Sequence, residues 1–306
     1  MSSLLIKNGV LLTMNSKREM FRGDLLIKDN RIVEISASPI QRKADKVLDV
    51  SGKLVMPGFI QPHVHLTQAL FRGQADDLPL LKWLKNRIWP LESLHDAESN
   101  YLSAQVGIAE MVRSGTTFIQ DMGTVHFTES IMEAVKHSGF RAVAGKCIMD
   151  DTGSEVPQGL KESPNQALKE SKRLLDKWHG RANGRIHCSL APRFVLSSKT
   201  ETFKEIVNLA VHKGVLVHSH AAENKEEANL VYQKTGYRNV IYFYKLGLLN
   251  ANLVLAHCIW LNNKEKDLLA EHGVRVVHCP SANMKLGSGV ADIPGLISRG
   301  GYTALS

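Results

Sequence analysis

The stretch PGFIQPHVH, residues 57–65, decides the fold. After Pro57-Gly58 the texture of the chain changes, and Phe59–His65 is an apolar run of strand length. Alternation along a strand sends the side chains of His63 and His65 to one face, so both imidazoles can converge on one ion at the strand's C-terminal end. An isolated H-x-H pair is weak evidence and by itself reads more readily as two ordinary histidines. Its weight comes from its place in the rest of the chain.

Seven more strand candidates succeed it: Thr116–Asp121, Arg141–Met149, Arg185–Ala191, Val215–His220, Leu253–His257, Val274–Cys279 and Tyr302–Leu305. Between them lie helical segments with apolar residues at 3.6-type spacing, such as Leu102, Val106, Ala109 and Val112 before Gly115, and Phe203, Ile206, Val207 and Ala210 before Gly214. This alternation predicts parallel strands, and eight repeats fit a closed (β/α)8 TIM-like barrel better than an open doubly wound sheet, an α/β fold in either case. No glycine-rich dinucleotide fingerprint occupies the first strand-to-helix turn. Residues 1–55 read differently: short alternating segments (Leu4–Lys7, Leu25–Lys28, Arg31–Ile35, Lys46–Val50) separated by Asn8-Gly9 and Asp29-Asn30 predict small antiparallel strands, part of a β-sandwich. The expected domains are therefore 1–55 and 56–306.

A chain of 306 residues, 43% hydrophobic and 22% charged, is long enough for a sizeable core plus an appendage. No window of some 18 uncharged apolar residues occurs, so no membrane span is expected. Cys147, Cys188, Cys258 and Cys279 are widely spaced within strand-like runs, which reads as reduced thiols in a cytoplasmic protein. The net charge of +8 is scattered and not gathered into a basic tract with aromatics, so no nucleic-acid partner is expected.

The barrel places chemistry at the C-terminal ends of its strands. Strand five ends HSHAAE (218–223), offering His220 as a third nitrogen ligand, with Glu223 just beyond it. Three protein ligands leave a coordination position for water, and a nearby carboxylate that is not a ligand can take the water's proton and hand it to a leaving amine. A cap on the helix Asn224–Thr235 is the plainer role for Glu223. His257 ends strand six, where it could orient the water or bind the ring nitrogen and leaving group. His218 and His278 also lie on strands and read as packed or supporting histidines.

Five segments together carry a family resemblance: PGFIQPHVH, LFRGQADDLPLLKWLKNRIWPLE (70–92), HSHAAE, AHCIW (256–260) and HCPSANMKLGSG (278–289). The chain resembles, over nearly its whole length, the amidohydrolase superfamily, and within it the branch of adenosine-type deaminases, guanine deaminase and s-triazine hydrolases. The resemblance implies hydrolytic deamination of an aminated purine nucleoside, with guanine, pterin or s-triazine chemistry as the alternative. It implies one zinc, or another divalent transition metal such as Fe2+ or Mn2+, on His63, His65 and His220, with Glu223 as proton shuttle and His257 polarising the reacting centre. Glu92, at the end of IWPLE, matches the glutamate that contacts ribose in the nucleoside deaminases, although an exposed carboxylate opening a helix fits the sequence equally. Arg193 (in APRF) and Gln68 match the guanine deaminase pattern instead, with a structural salt bridge as the other role for Arg193. Arg72, Asp76, Asp77, Trp83 and Trp89 fall in the segment that covers the pocket in such proteins. A homo-oligomer is admitted by the same resemblance.

Members of this branch usually carry an aspartate at the end of strand eight, in a G-T-D-G-type segment. Here that strand is the last feature before Ser306, so the expectation is a barrel whose C-terminal part is missing. The helices that normally follow, and the returning strands that would complete the β-sandwich, are expected to be missing with it. A truncated chain of this kind is expected to have weakened activity or to be a non-catalytic, metal-binding remnant.

Overall fold

The computed structural model describes residues 2–74 and 77–306, so Asp76 lies outside the described residues. Contacts divide the chain into two units, Met1–Phe59 and Ile60–Ser306.

In the first unit, β1 (Ser3–Leu12), β2 (Met20–Lys28), β3 (Arg31–Ser36) and β4 (Lys46–Asp49) form a sheet of order β3-β2-β1-β4, with β5 (Leu54–Val55) also paired to β1. The hairpins β1–β2 and β2–β3 are antiparallel, as expected, but β4 and β5 run parallel to β1. The stretch between β3 and β4 carries the chain back to the free edge of β1, and that return reverses the direction a hairpin would give. Nor does Asn8-Gly9 end a strand. Asn8 takes a left-handed φ of 64° inside β1, where the register shifts, and its N–H donates to the buried Asp24 carboxylate at 3.0 Å. Leu5, Leu26 and Ile40 form this unit's core.

In the second unit, β6 (Phe59–Val64), β7 (Thr116–Asp121), β8 (Arg141–Ile148), β9 (Ile186–Pro192), β10 (Leu216–Ala221), β11 (Asn252–His257), β12 (Arg275–His278) and β13 (Tyr302–Leu305) lie side by side in chain order. The described ladders from β7 to β13 are parallel. The Ser306 hydroxyl donates to the His63 carbonyl at 2.7 Å, tying the last strand to the first. The α/β barrel expected from the strand spacing is thus present, with each strand within a residue or two of its predicted bounds.

Helices start and stop where local chemistry dictates. Asp96 and Ser99, Ser163 and Gln166, and Asn262 and Glu265 form reciprocal capping boxes that satisfy otherwise unpaired N–H groups, and Gly214 closes Thr200–Lys213 at φ 65°. The core lies between barrel and helices, where Ile119, Leu190, Val217 and Leu255 meet Ile131, Leu174, Phe203 and Ile206. Each such side chain contributes about 1.5–3 kcal/mol on burial.

The helix Ala97–Arg113 departs from expectation. Its buried face is Asn100, Ser103, Ala104, Gly107 and Ile108, while Leu102 and Val112 are exposed. Close approach to the segment after β6 explains this, because a Cβ on Gly107 would lie 2.9 Å from Leu66 Cδ2. Among the described residues no helix is long and apolar enough to cross a membrane.

Candidate active site

The C-terminal ends of β6, β9, β10 and β11 surround a cavity of about 720 Å3, lined in part by His63, His65, Gln68, Arg193, His220, Glu223 and His257. Strand alternation brings His63 and His65 to this rim, as their spacing predicts. Backbone strain collects beside them: Ala222, His257 and Cys258 hold φ of 48°, 72° and 49°. A left-handed residue other than glycine costs about 1–2 kcal/mol, and such outliers gather where function over-determines the backbone.

The imidazoles face one another. His63, His220 and His257 offer ring nitrogens all within 4.8 Å of one another, and His65 Nε2 lies 3.2 Å from His220 Nε2. The grouping therefore differs in emphasis from the expected set of His63, His65 and His220, since His257 stands as close to the centre as a ligand would. Three of the rings are held from behind through Nδ1. His220 Nδ1 donates to the Arg193 carbonyl at 2.6 Å, His257 Nδ1 donates to Asn283 Oδ1 at 2.7 Å, and His63 Nδ1 meets His218 Nε2 at 2.9 Å. Burial drives His63, His65 and His220 well below the usual imidazole range and His257 down to about 4. Neutral rings with exposed lone pairs are the form a metal binds. A buried nitrogen cluster with outer oxygen partners fits a divalent metal centre.

Glu223 is 7% exposed and its Oε2 lies 3.5 Å from His257 Nε2. The helix Lys225–Thr235 is capped by the Asn224 side chain, which leaves Glu223 to the cavity. Burial pushes the Glu223 carboxyl up to about 8, with Arg193 pulling the other way. Glu227, one turn further on, also lines the cavity and is pushed by burial to about 8.

Glu92 is only 5% exposed, so it is not an exposed carboxylate. It accepts from Arg193 Nη1 at 2.6 Å and Nη2 at 3.2 Å, and from Gln68 Nε2 at 2.8 Å. Gln68 and Arg193 line the cavity, whereas Glu92 is not among the lining residues. Of the covering segment, Trp83 lines the cavity, Arg72 does so while paired with Glu110, Trp89 is buried in the core beneath and Asp77 is exposed.

Of three supporting residues, the sequence reading anticipated one. His218 carried a signal, since H-S-H alternation puts it on the face of His220, but its contact with His63 spans 155 residues. Asn283 and Asp121 carried none. Asp121 ends β7 and accepts from Leu66 N at 2.7 Å, fixing the turn after His65, and burial lifts its carboxyl to about 7.

A parallel barrel with a metal-competent imidazole cluster at its C-terminal rim, and a buried carboxylate beside it, defines a class of hydrolase-like scaffold. Similarity to known proteins narrows that class. The model of the amidohydrolase family matches residues 54–305, and the chain belongs to that family. It is 39% identical over 279 residues, 91% of its length, to a 5'-deoxyadenosine deaminase of Methanothermobacter thermautotrophicus, and spans 63% of that protein. It is 34% identical over 298 residues, 96% of its length, to a 5-methylthioadenosine/S-adenosylhomocysteine deaminase of Bacillus cereus, and spans 67% of that protein. Among solved structures, guanine deaminase from C. acetobutylicum with bound guanine superposes with a TM-score of 0.92 at 25% identity, covering 100% of this chain and 74% of that one. A zinc-bound adenosine deaminase from Xanthomonas campestris gives 0.89 at 28% identity, covering 100% and 69%.

Proposed function

We propose that this protein catalyses hydrolytic deamination of an aminated purine nucleoside of the 5'-deoxyadenosine, methylthioadenosine or S-adenosylhomocysteine type, releasing ammonia. The reading is carried by one observation: Glu223 stands buried beside a cluster of imidazoles whose outer nitrogens are already engaged. The named activities of the similar proteins support it.

In this reading His63, His65 and His220 hold zinc or a similar divalent ion, with His257 at the edge of the set. When bound, the ion supplies Lewis-acid activation of the attacking water. His257, its Nδ1–H committed to Asn283, presents a lone pair that orients the water. Glu223 takes a proton from the water as its oxygen bonds to the amine-bearing carbon. The same carboxyl returns the proton to the amine as the carbon–nitrogen bond breaks, so ammonia leaves, and the second water proton passes from the new hydroxyl to the ring nitrogen as the oxo group forms. Burial, which raises the Glu223 carboxyl, favours its holding the proton between the two halves of that transfer. Gln68 and Arg193 face the ring. Residues 56–306 form the catalytic part and residues 1–55 the start of a β-sandwich, and four buried free thiols support a cytoplasmic setting.

One observation favours a second reading. Glu92, expected to meet ribose hydroxyls, is engaged by Arg193 and Gln68 and does not itself line the cavity, an arrangement that withdraws the carboxylate from a ribose and suits a free base such as guanine, or a pterin or triazine. The test is ammonia release from 5'-deoxyadenosine, methylthioadenosine, S-adenosylhomocysteine, guanine and an aminotriazine with the zinc-loaded protein. Turnover of a nucleoside supports the first reading and turnover of free bases alone the second. No ammonia from any of them rejects deamination.

A further inference from the structure

His63, His220 and His257 each lean on a partner through Nδ1, but the partners are not equivalent. The Arg193 carbonyl and Asn283 Oδ1 can only accept, so His220 and His257 must carry their proton on Nδ1 and keep Nε2 free. The partner of His63 is another imidazole, His218 Nε2 at 2.9 Å, and an imidazole nitrogen can either donate or accept. If His218 donated, His63 would hold its own proton on Nε2, facing the cluster, and could not bind an ion there. Only with His218 accepting is the His63 lone pair directed at the centre.

We infer that His218 is a positioning residue for the metal centre, an acceptor that fixes His63 in the Nδ1–H tautomer. The inference rests on the metal-centre reading above. His218 is fully buried, its ring is nearly perpendicular to that of His63 at 88°, and its own Nδ1 has no hydrogen-bond partner among the described residues. For His218 to accept at Nε2 its own proton must sit on that unpartnered Nδ1, so this tautomer is imposed by the lone pair the centre requires of His63 and not by a partner of its own. It is a packed imidazole only in the sense that its far side is enclosed. Its near side sets which nitrogen of His63 is available.

Zinc affinity measured by competition with a chromogenic chelator tests this in wild type, His218→Leu and His218→Gln, with folding checked by circular dichroism. Loss of the acceptor in His218→Leu should weaken zinc binding about 10–100-fold. His218→Gln, whose side-chain oxygen can accept from His63 Nδ1–H, should recover most of that loss. Long-range 1H–15N correlation on zinc-loaded wild type should show protons on Nδ1 of both His63 and His218, a readout that stands if His218→Leu does not fold. Wild-type affinity in a folded His218→Leu, equal weakness in both variants, or a proton on His218 Nε2 in the zinc form overturns the inference. A wild-type chain that takes up no zinc rejects the metal centre itself, and the role of His218 with it.

Discussion

Replacing Glu92 by Gln should destabilise the barrel by about 3 kcal/mol. The carboxylate and the Arg193 guanidinium are 5% and 4% exposed, joined through two contacts at 2.6 and 3.2 Å. Removing one member of a buried pair leaves the other charge unmatched, at a cost of about 3–5 kcal/mol. Arg193 borders the cavity, where water can reach it, and Gln keeps one acceptor oxygen, so the lower end of that range applies. For a unit of this size the loss corresponds to a fall in Tm of about 6–12 °C. Urea denaturation followed by tryptophan fluorescence reads it directly, since Trp83 and Trp89 sit on the adjoining helical segment. The double variant Glu92→Gln with Arg193→Met removes the stranded charge and should be more stable than Glu92→Gln alone. A single variant within about 1 kcal/mol of wild type, or a double variant no better than the single, would show that the pair is solvated and that the burial argument is wrong.

Glu223→Gln should lower ammonia release by about 10^2–10^4-fold while zinc content by elemental analysis stays at the wild-type level; retained turnover would remove Glu223 from the proton transfer. Burial raises the Asp121 carboxyl from 3.8 to about 7, so the folded state keeps a proton that the unfolded chain releases. That stabilisation is full below pH 3.8 and lost as pH rises through 7. Between about pH 5 and pH 8, Asp121→Asn should therefore gain on wild type by about 3 kcal/mol in urea titrations, and parallel pH profiles would contradict the assignment. Gly123→Ala should prevent folding, because φ is +74° and the new Cβ would meet Gly145 O at 1.6 Å; Gly139→Ala, at φ +72° with open space, should cost only the left-handed penalty, about 1–2 kcal/mol. Equal thermal stability of these two variants would deny the close approach of the two backbones.

The barrel was legible because its signals are local. Helices stop and strands begin at breaks such as Gly115 and Gly214, and alternation assigns His63 and His65 to one face without knowledge of any partner. Helix faces were less legible where small residues do the packing. In Ala97–Arg113 the eye follows Leu102 and Val112, yet close approach selects Ser103, Ala104 and Gly107, whose lack of bulk is what lets the helix in. Glu92 defeated sequence reading for a different reason. Its partner Arg193 is 101 residues away, and neither residue announces the other. The first unit shows the same limit, since nothing local in Lys46–Asp49 tells a returning parallel strand from the next arm of a hairpin.

Arg193 meets its two neighbours through different parts of itself. Its side chain reaches Glu92, while its peptide oxygen steadies the ring of His220. Any amino acid at this position would bring the same oxygen. Exchanging this side chain together with Glu92, so that no charge is stranded, would thus alter the cavity wall while the carbonyl that holds the imidazole beneath stays in place.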